Sequence, residues 1–323
     1  MVRPQGAWYE SRFQHEDESV MPFHLVRRRF MPLTASFVLW GGTMAQAQTV
    51  EPVPQQPDEN SFSAALAALE AKNGGRLGVL ALDTASGHRL GYHADERFAM
   101  CSTHKFITVA AILKMVDHGT IKLSEQIHYN QADVLSYAPI TSQHLKTGFM
   151  TVGALCQAAI EWSDNTAANL LLALVGGPSG WTHFARSIGD NVSRLDRNEP
   201  TLNTAIPGDP RDTTTPTAMA RDLDTILLGH VLSSSSRRLL TDWMLDNQIT
   251  NNLLRAGVPK GWRVADKSGS GDHGTRNDIG LILPPSPHRP IIACVYYTDS
   301  PQPAPLRDAL IAKTGQIITH AFL

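Results

Sequence analysis

The sequence predicts an α/β protein with two domains: a five-stranded antiparallel sheet flanked by the terminal helices, and an all-helical domain. Two strand-like segments lie near the N-terminal end, three lie near the C-terminal end, and a mainly helical block separates them. The 323 residues are 42% hydrophobic and 18% charged, which is enough apolar material for a large buried core. Strands from both ends of the chain are therefore expected to share one sheet.

The individual elements follow from turn residues and from the spacing of apolar residues. An Ala85-Ser86-Gly87 turn joins the first two strands as a hairpin. In chain order we predict a helix over 61–71, strands over 76–84 and 88–93, helices from 102 to about 246, strands over 262–270, 277–285 and 289–298, and a helix over 306–322. The α/β domain is thus assigned to 48–94 and 246–323, and the helical domain to 95–245, including a polar loop over 194–212.

Residues 1–47 are predicted to be a signal peptide that is removed on export. Basic residues Arg27–Arg29 precede an apolar stretch that is short for a membrane span, and Ala45-Gln46-Ala47 is a small-x-small cleavage pattern. The pair Arg27-Arg28 with Phe30 also fits a twin-arginine signal. We therefore expect a periplasmic or secreted protein that has no membrane association after cleavage.

The charge balance and the cysteines exclude several kinds of partner. A formal net charge of −2 with no basic stripe argues against nucleic-acid binding. Three cysteines allow at most one disulfide, and because all three lie in apolar surroundings, buried free thiols are favoured. Their spacing does not suit a zinc site.

The stretch 99–115 raises the question of function. Four polar residues, Ser102 to Lys105, stand at the entrance of a helix whose apolar stripe is wide enough to lie inside the protein. Ser102 or Thr103 could simply cap the helix. Alternatively, Ser102 and Lys105 lie one turn apart on a shared face and could form an active site.

Three companions favour the active site. Ser163-Asp164-Asn165 precedes an apolar helix, Lys267-Ser268-Gly269 ends a predicted strand, and the polar loop holds Glu199-x-x-Leu202-Asn203. Ser-Asp-Asn is also good capping chemistry, and both roles are compatible. Together with Ser-x-x-Lys, these motifs resemble the class A serine β-lactamases and, more distantly, the penicillin-binding proteins. The likeness covers nearly all of the chain after the signal peptide.

The resemblance implies a β-lactamase/transpeptidase-like fold and a monomeric enzyme without cofactor. The implied reaction is hydrolysis of the β-lactam ring of penicillin- and cephalosporin-type antibiotics through an acyl-serine intermediate, which gives antibiotic resistance. A buried Lys105 would take the proton of Ser102, and Glu199 would activate water against the ester. The acylation base, Lys105 or Glu199, stays open.

The resemblance also assigns the remaining residues. Ser163 would pass a proton to the leaving nitrogen, and the backbone N–H groups of Ser102 and Ser270 would form an oxyanion hole. Substrate-binding residues would be Tyr137, Asn165, Asn203, Lys267, Ser268, Ser270 and Arg276. The structural residues of the loop would be Arg197, paired with Asp212, and Pro200 after a cis peptide bond.

Two rival functions share the same nucleophile. A D-alanyl-D-alanine carboxypeptidase or transpeptidase would keep a long-lived acyl-enzyme, and a β-lactam sensor would acylate and stop; the Glu199 loop argues against the first. Two disulfides that some family members carry are excluded here. The position that would pair with Cys156 is Val109, and the position that would pair with Cys101 is Gly271. The preference among penicillins, cephalosporins and carbapenems is left open by the sequence.

Overall fold

The structure is a computed structural model that describes residues 58–322. The predicted signal peptide over 1–47 lies outside the described residues. The strands are β1 Arg76–Asp83, β2 Arg89–Tyr92, β3 Phe98–Ala99, β4 Gln126–His128, β5 Phe149–Thr151, β6 Thr213–Thr214, β7 Arg263–Ser270, β8 Arg276–Leu283 and β9 Ile291–Thr298. The helices are α1 Glu59–Asn73, α2 His104–Asp117, α3 Val152–Glu161, α4 Asn165–Leu174, α5 Gly177–Ser187, α6 Pro216–Leu223, α7 Ser234–Leu245, α8 Leu254–Gly257 and α9 Ala304–Ala321.

Five of these strands form the predicted antiparallel sheet, in the order β2-β1-β9-β8-β7. The β1–β2 hairpin is present, and β1 pairs with β9 along its whole length, from Arg76 opposite Thr298 to Asp83 opposite Ile291. Strand β7, which carries Lys267, is at one edge and pairs with β8. The predicted fold class is confirmed.

Each face of the sheet covers a different core, because side chains alternate along a strand. Leu77 and Val79 of β1 pack with Phe62 of α1 and Ile311 of α9, between the sheet and the terminal helices. Leu80 of β1 faces the other way and belongs to the larger core of the helical block. The terminal helices are therefore held against the side of the sheet remote from α2.

Helix α2 passes through the larger core, with every residue from His104 to Leu113 buried. A short 3₁₀ turn, Cys101–Thr103, precedes it. The alternative of a capping side chain at Ser102 or Thr103 is not realised: Thr103 occupies the N-cap position, but its hydroxyl donates to the carbonyl of Met100 at 2.8 Å. The chain enters α2 through the 3₁₀ turn, so the Ser102 hydroxyl is free for contacts outside the helix.

The three cysteines, Cys101, Cys156 and Cys294, are free and buried. This confirms the interpretation of their apolar surroundings. Burial raises the pKa of the Cys101 thiol, and the nearby charge of Glu199 raises it further. Among residues 58–322, no helix combines the length and apolar character needed to cross a membrane.

Candidate active site

The site forms where the turn before α2 meets strand β7. A Cβ atom added to Gly269 of β7 would lie 2.7 Å from the carbonyl oxygen of Met100, so only glycine permits this approach. The space that a side chain would need at this position is taken by the backbone before Ser102. Close packing at this point brings the Lys267 strand beside the Ser102 turn.

Lys105 is at the centre of the site, and its side chain is fully buried. Its amine lies 2.8 Å from Ser102 Oγ, 2.6 Å from Asn165 Oδ1 and 2.9 Å from the carbonyl oxygen of Ser163. Glu199 Oε1 is also 2.9 Å away. Burial lowers the pKa of the Lys105 amine, although the negative charge of Glu199 opposes that shift. The predicted Ser102–Lys105 contact therefore exists in this geometry.

Glu199 brings its carboxylate to the same hydroxyl. Ser102 Oγ donates to Glu199 Oε1 at 3.3 Å, and the side-chain amide of Asn203 donates to Oε2. Pro200 follows a cis peptide bond and precedes a 3₁₀ turn that carries Asn203. Burial disfavours the charged carboxylate, but Lys105 and His104 outweigh it and hold the pKa of Glu199 below its usual range.

The 194–212 loop is fastened at two points. Asn169 of α4 accepts from the backbone N–H of Glu199 at 3.0 Å and donates to its carbonyl oxygen at 2.9 Å. Arg197 Nε contacts the buried Asp212 carboxylate at 2.6 Å. Sequence reasoning missed Asn169, although its position four residues after Asn165 puts both amides on one helix face.

Removing the guanidinium at the loop neck is expected to destabilise the protein. The Asp212 carboxylate is fully buried, and the Arg197→Ala variant would leave it without its cationic partner. Breaking such a pair costs about 3 kcal/mol in the free energy of unfolding, which urea denaturation measures.

The matched control for this prediction is Arg211→Ala on the same loop, because Arg211 pairs with Asp209 while both lie near the surface. Solvent screens that pair, so its loss is expected to change stability much less. Equal losses in the two variants would contradict the role of Arg197 as a buried anchor.

Ser163 and Lys267 complete the inner site. Ser163 Oγ accepts from Lys105 at 3.2 Å and from Lys267 at 3.0 Å, so one hydroxyl is shared by two buried amines. Burial lowers the pKa of Lys267 well below its usual range, and Lys105 adds to the effect. The neighbouring Asp164 carboxylate caps α4 by accepting from the backbone N–H of Ala167 at 2.9 Å, as the capping chemistry of this motif indicated.

The remaining predicted residues line the edge of β7 and the rim. Arg276 donates to Ser270 Oγ at 2.6 Å and to Asp308 of α9 at 2.7 Å. Ser268 is buried, and its carbonyl accepts from the Lys267 amine. Asp308 was missed because it lies 32 residues from Arg276 in the chain, and only the fold brings them together.

Tyr137 lies beside Asn165. Its carbonyl oxygen accepts from the backbone N–H of Asn165 at 3.0 Å, and 45% of the tyrosine is exposed. Within residues 58–322, no three His, Cys, Asp or Glu side chains converge as metal ligands would. The arrangement is that of nucleophilic catalysis: a hydroxyl within hydrogen-bonding reach of a buried amine and a carboxylate.

Comparison with known proteins identifies the family. The sequence profile of the β-lactamase enzyme family matches residues 61–322. The chain belongs to this family. The Toho-1 β-lactamase of Escherichia coli is 48% identical over 263 residues, which are 81% of this chain and 90% of that protein. The CTX-M-8 β-lactamase of Citrobacter amalonaticus is 44% identical over 299 residues, 93% of this chain and 99% of that one.

Solved structures place the chain in class A of the β-lactamases. The class A β-lactamase of the last common ancestor of Gram-negative bacteria (GNCA4) superposes with a TM-score of 0.80 at 55% identity, covering 81% of this chain and 100% of that one. The resemblance to class A serine β-lactamases is thereby confirmed, and with it the enzyme class, a hydrolase that acts on β-lactams.

Proposed function

We propose that the chain opens the β-lactam ring of penicillins and cephalosporins with Ser102 as the nucleophile. The observation that carries this proposal is the environment of one hydroxyl: Ser102 Oγ accepts from Lys105 at 2.8 Å and donates to Glu199 at 3.3 Å. Its proton passes to the Lys105–Glu199 pair as Oγ bonds to the lactam carbonyl carbon. The backbone N–H groups of Ser102 and Ser270 receive the developing oxyanion.

Ring opening needs a proton on the departing nitrogen, and Ser163 supplies it. The shared position of its hydroxyl between Lys105 and Lys267 supports this role, because either amine replaces the proton that Ser163 donates. Lys267, Ser268 and Arg276 bind the substrate carboxylate, to which they offer an amine, a hydroxyl and a guanidinium. Asn165 binds the side-chain amide of the substrate, and Tyr137 forms part of the rim.

Glu199 then releases the acyl group. Its carboxylate takes a proton from a water held with Asn203, and the hydroxide attacks the ester carbonyl of acyl-Ser102. The Glu199 carboxylate accepts from Ser102 at Oε1 and from the Asn203 amide at Oε2. The amide and the nucleophile thus lie at the same carboxylate, which supports a water position shared by Glu199 and Asn203. Turnover of this kind distinguishes a hydrolase from a transpeptidase or a sensor.

The same proposal covers location and assembly. The export pattern in residues 1–47 supports a periplasmic or secreted enzyme, whose activity there gives antibiotic resistance. Because all proposed catalytic groups belong to one chain, a monomer suffices for the reaction. The near-neutral net charge of −2 argues against a nucleic-acid partner.

Mass spectrometry during exposure to benzylpenicillin tests the proposed function. The intact enzyme is expected to convert the antibiotic to the ring-opened acid without a lasting adduct on the protein. A stable adduct with little product would favour the transpeptidase or sensor instead. Absence of both adduct and product would contradict the nucleophilic mechanism altogether.

A further inference from the structure

His104 lies next to the catalytic groups, yet the reaction as derived makes no use of it. The ring is fully buried, and its Nδ1 lies 3.2 Å from Thr108 Oγ1. Its Nε2 lies 3.4 Å from Glu199 Oε1 and has no hydrogen-bond partner at that distance. Buried ring nitrogens are rarely left unpartnered, so the direction of Nε2 towards the carboxylate needs an explanation.

Thr108 is compatible with either tautomer of His104, and the charge of Glu199 selects between them. The Thr108 hydroxyl has one proton and two acceptors within reach, the carbonyl oxygen of His104 at 3.1 Å and Nδ1 at 3.2 Å. When the hydroxyl donates to Nδ1, the ring carries its proton on Nε2, which then faces the carboxylate. The opposite tautomer would bring the Nε2 lone pair against a negatively charged oxygen.

The ring is neutral in this position. Burial lowers the pKa of His104, and the charges of Lys105 and Lys267 lower it further, although Glu199 opposes the shift. A neighbouring helix also fixes the backbone that carries the ring: Trp181 of α5 donates from its indole N–H to the His104 carbonyl oxygen at 3.1 Å. A rotation that takes Nε2 away from Glu199 would have to occur inside a packed core.

We propose that His104 is a positioning residue for the general base, directing a neutral Nε2–H at Oε1 of Glu199. The proposal rests on the proposed function of Glu199 as the base that releases acyl-Ser102. In the free enzyme Oε1 has three possible donors around it, from Lys105, Ser102 and His104. Acylation removes the Ser102 proton, so Lys105 and His104 are left to fix the carboxylate beside the ester. Hydrogen bonds at a catalytic site are often long without substrate and shorten when it binds.

The first test compares His104→Leu with His104→Gln. Leucine removes the donor, whereas the glutamine amide can place an N–H near the position of Nε2. We expect the leucine variant to release acyl-Ser102 about tenfold more slowly, because a hydrogen bond to a charged group is lost, while glutamine restores most of the rate. Single-turnover hydrolysis of a chromogenic cephalosporin, followed from pH 4 to pH 8, gives the acylation and deacylation rates separately.

The pH profile separates positioning from mere packing. Loss of a donor to the carboxylate raises the pKa of Glu199, so the acid limb of the deacylation rate is expected to move to higher pH in His104→Leu. Acylation, in which Lys105 also takes part, should change less. Equal rates and acid limbs in the leucine variant and the unaltered enzyme would overturn the proposal, as would glutamine and leucine behaving alike.

Two further variants guard against a folding defect. Thr108→Val removes the hydrogen-bond partner of Nδ1, which loosens the ring, and is expected to shift the acid limb in the same direction, by less. His104→Asn keeps an amide near Thr108 but cannot reach Glu199, so it should show the same slow deacylation that is expected of His104→Leu. It therefore provides the comparison with His104→Gln if the leucine variant does not fold. The Glu199→Gln variant distinguishes failure of the proposed function from failure of this inference. If Glu199 is not the base that releases acyl-Ser102, Glu199→Gln turns over normally. If only the role of His104 is wrong, Glu199→Gln still stops at the acyl-enzyme.

Discussion

Replacement of Ser102 by alanine is expected to lower kcat/KM for benzylpenicillin by about 10⁴-fold or more, because the acyl bond can no longer form. No adduct should be seen by mass spectrometry at any time. The remaining groups, including Lys105 and Glu199, keep their buried positions, so binding without reaction is the expected residual behaviour. The free energy of unfolding should change little, since the Ser102 hydroxyl is at the site and not in the core.

Ser187→Ala is a suitable control for this prediction, because Ser187 is exposed at the end of α5 and its hydroxyl contacts only the carbonyl of Phe184. It should retain the activity of the unaltered enzyme. A Ser102→Ala protein that still forms a penicilloyl adduct would place the nucleophile elsewhere.

The Glu199→Gln variant is expected to stop after the first half of the reaction. Its acyl-enzyme should accumulate, with deacylation slowed about 10³-fold, because the amide cannot take a proton from water. Acylation should survive, because the charge of Glu199 raises the pKa of Lys105; without that charge, burial lowers the pKa further, which favours the neutral amine that can accept the Ser102 proton. Mass spectrometry should show one benzylpenicillin per chain.

Glu125→Gln is the control, since Glu125 is exposed and its side chain is remote from these contacts. It should turn over like the unaltered enzyme. Rapid product formation by Glu199→Gln without an adduct would contradict the role of this carboxylate in releasing the acyl group.

Local patterns in the sequence were enough for part of the site. The spacing of Ser102 and Lys105 placed their side chains on one helix face, and the contact of 2.8 Å agrees. The Lys267-Ser268-Gly269 motif was expected to end a strand, and it lies at the end of β7. Alternation along that strand turns Lys267 towards Ser163 and Asp266 towards Thr250 and Arg255 on the other side. These predictions succeeded because they depend on neighbours within one element.

Other features depend on contacts between distant segments and could not be predicted in this way. The approach of His104 to Glu199 requires the path of the loop over α2, and the Arg276–Asp308 pair requires α9 to lie beside β8. The choice between a helix cap and an active site at Ser102 has the same origin. A local preference for capping gave way to the turn that presents the Ser102 hydroxyl to Lys105 of α2 and to Glu199 of the 194–212 loop.

The pairing of β1 with β9 has a consequence for how activity first arises during biosynthesis. Arg76 meets Thr298 across more than two hundred residues, so the central pair of strands can form only when the last part of the polypeptide has been made. Native contacts so remote in sequence give a high contact order and slow folding. An incomplete nascent chain therefore cannot complete the sheet whose edge strand carries Lys267, and β-lactam hydrolysis is expected only after β9 has been synthesised.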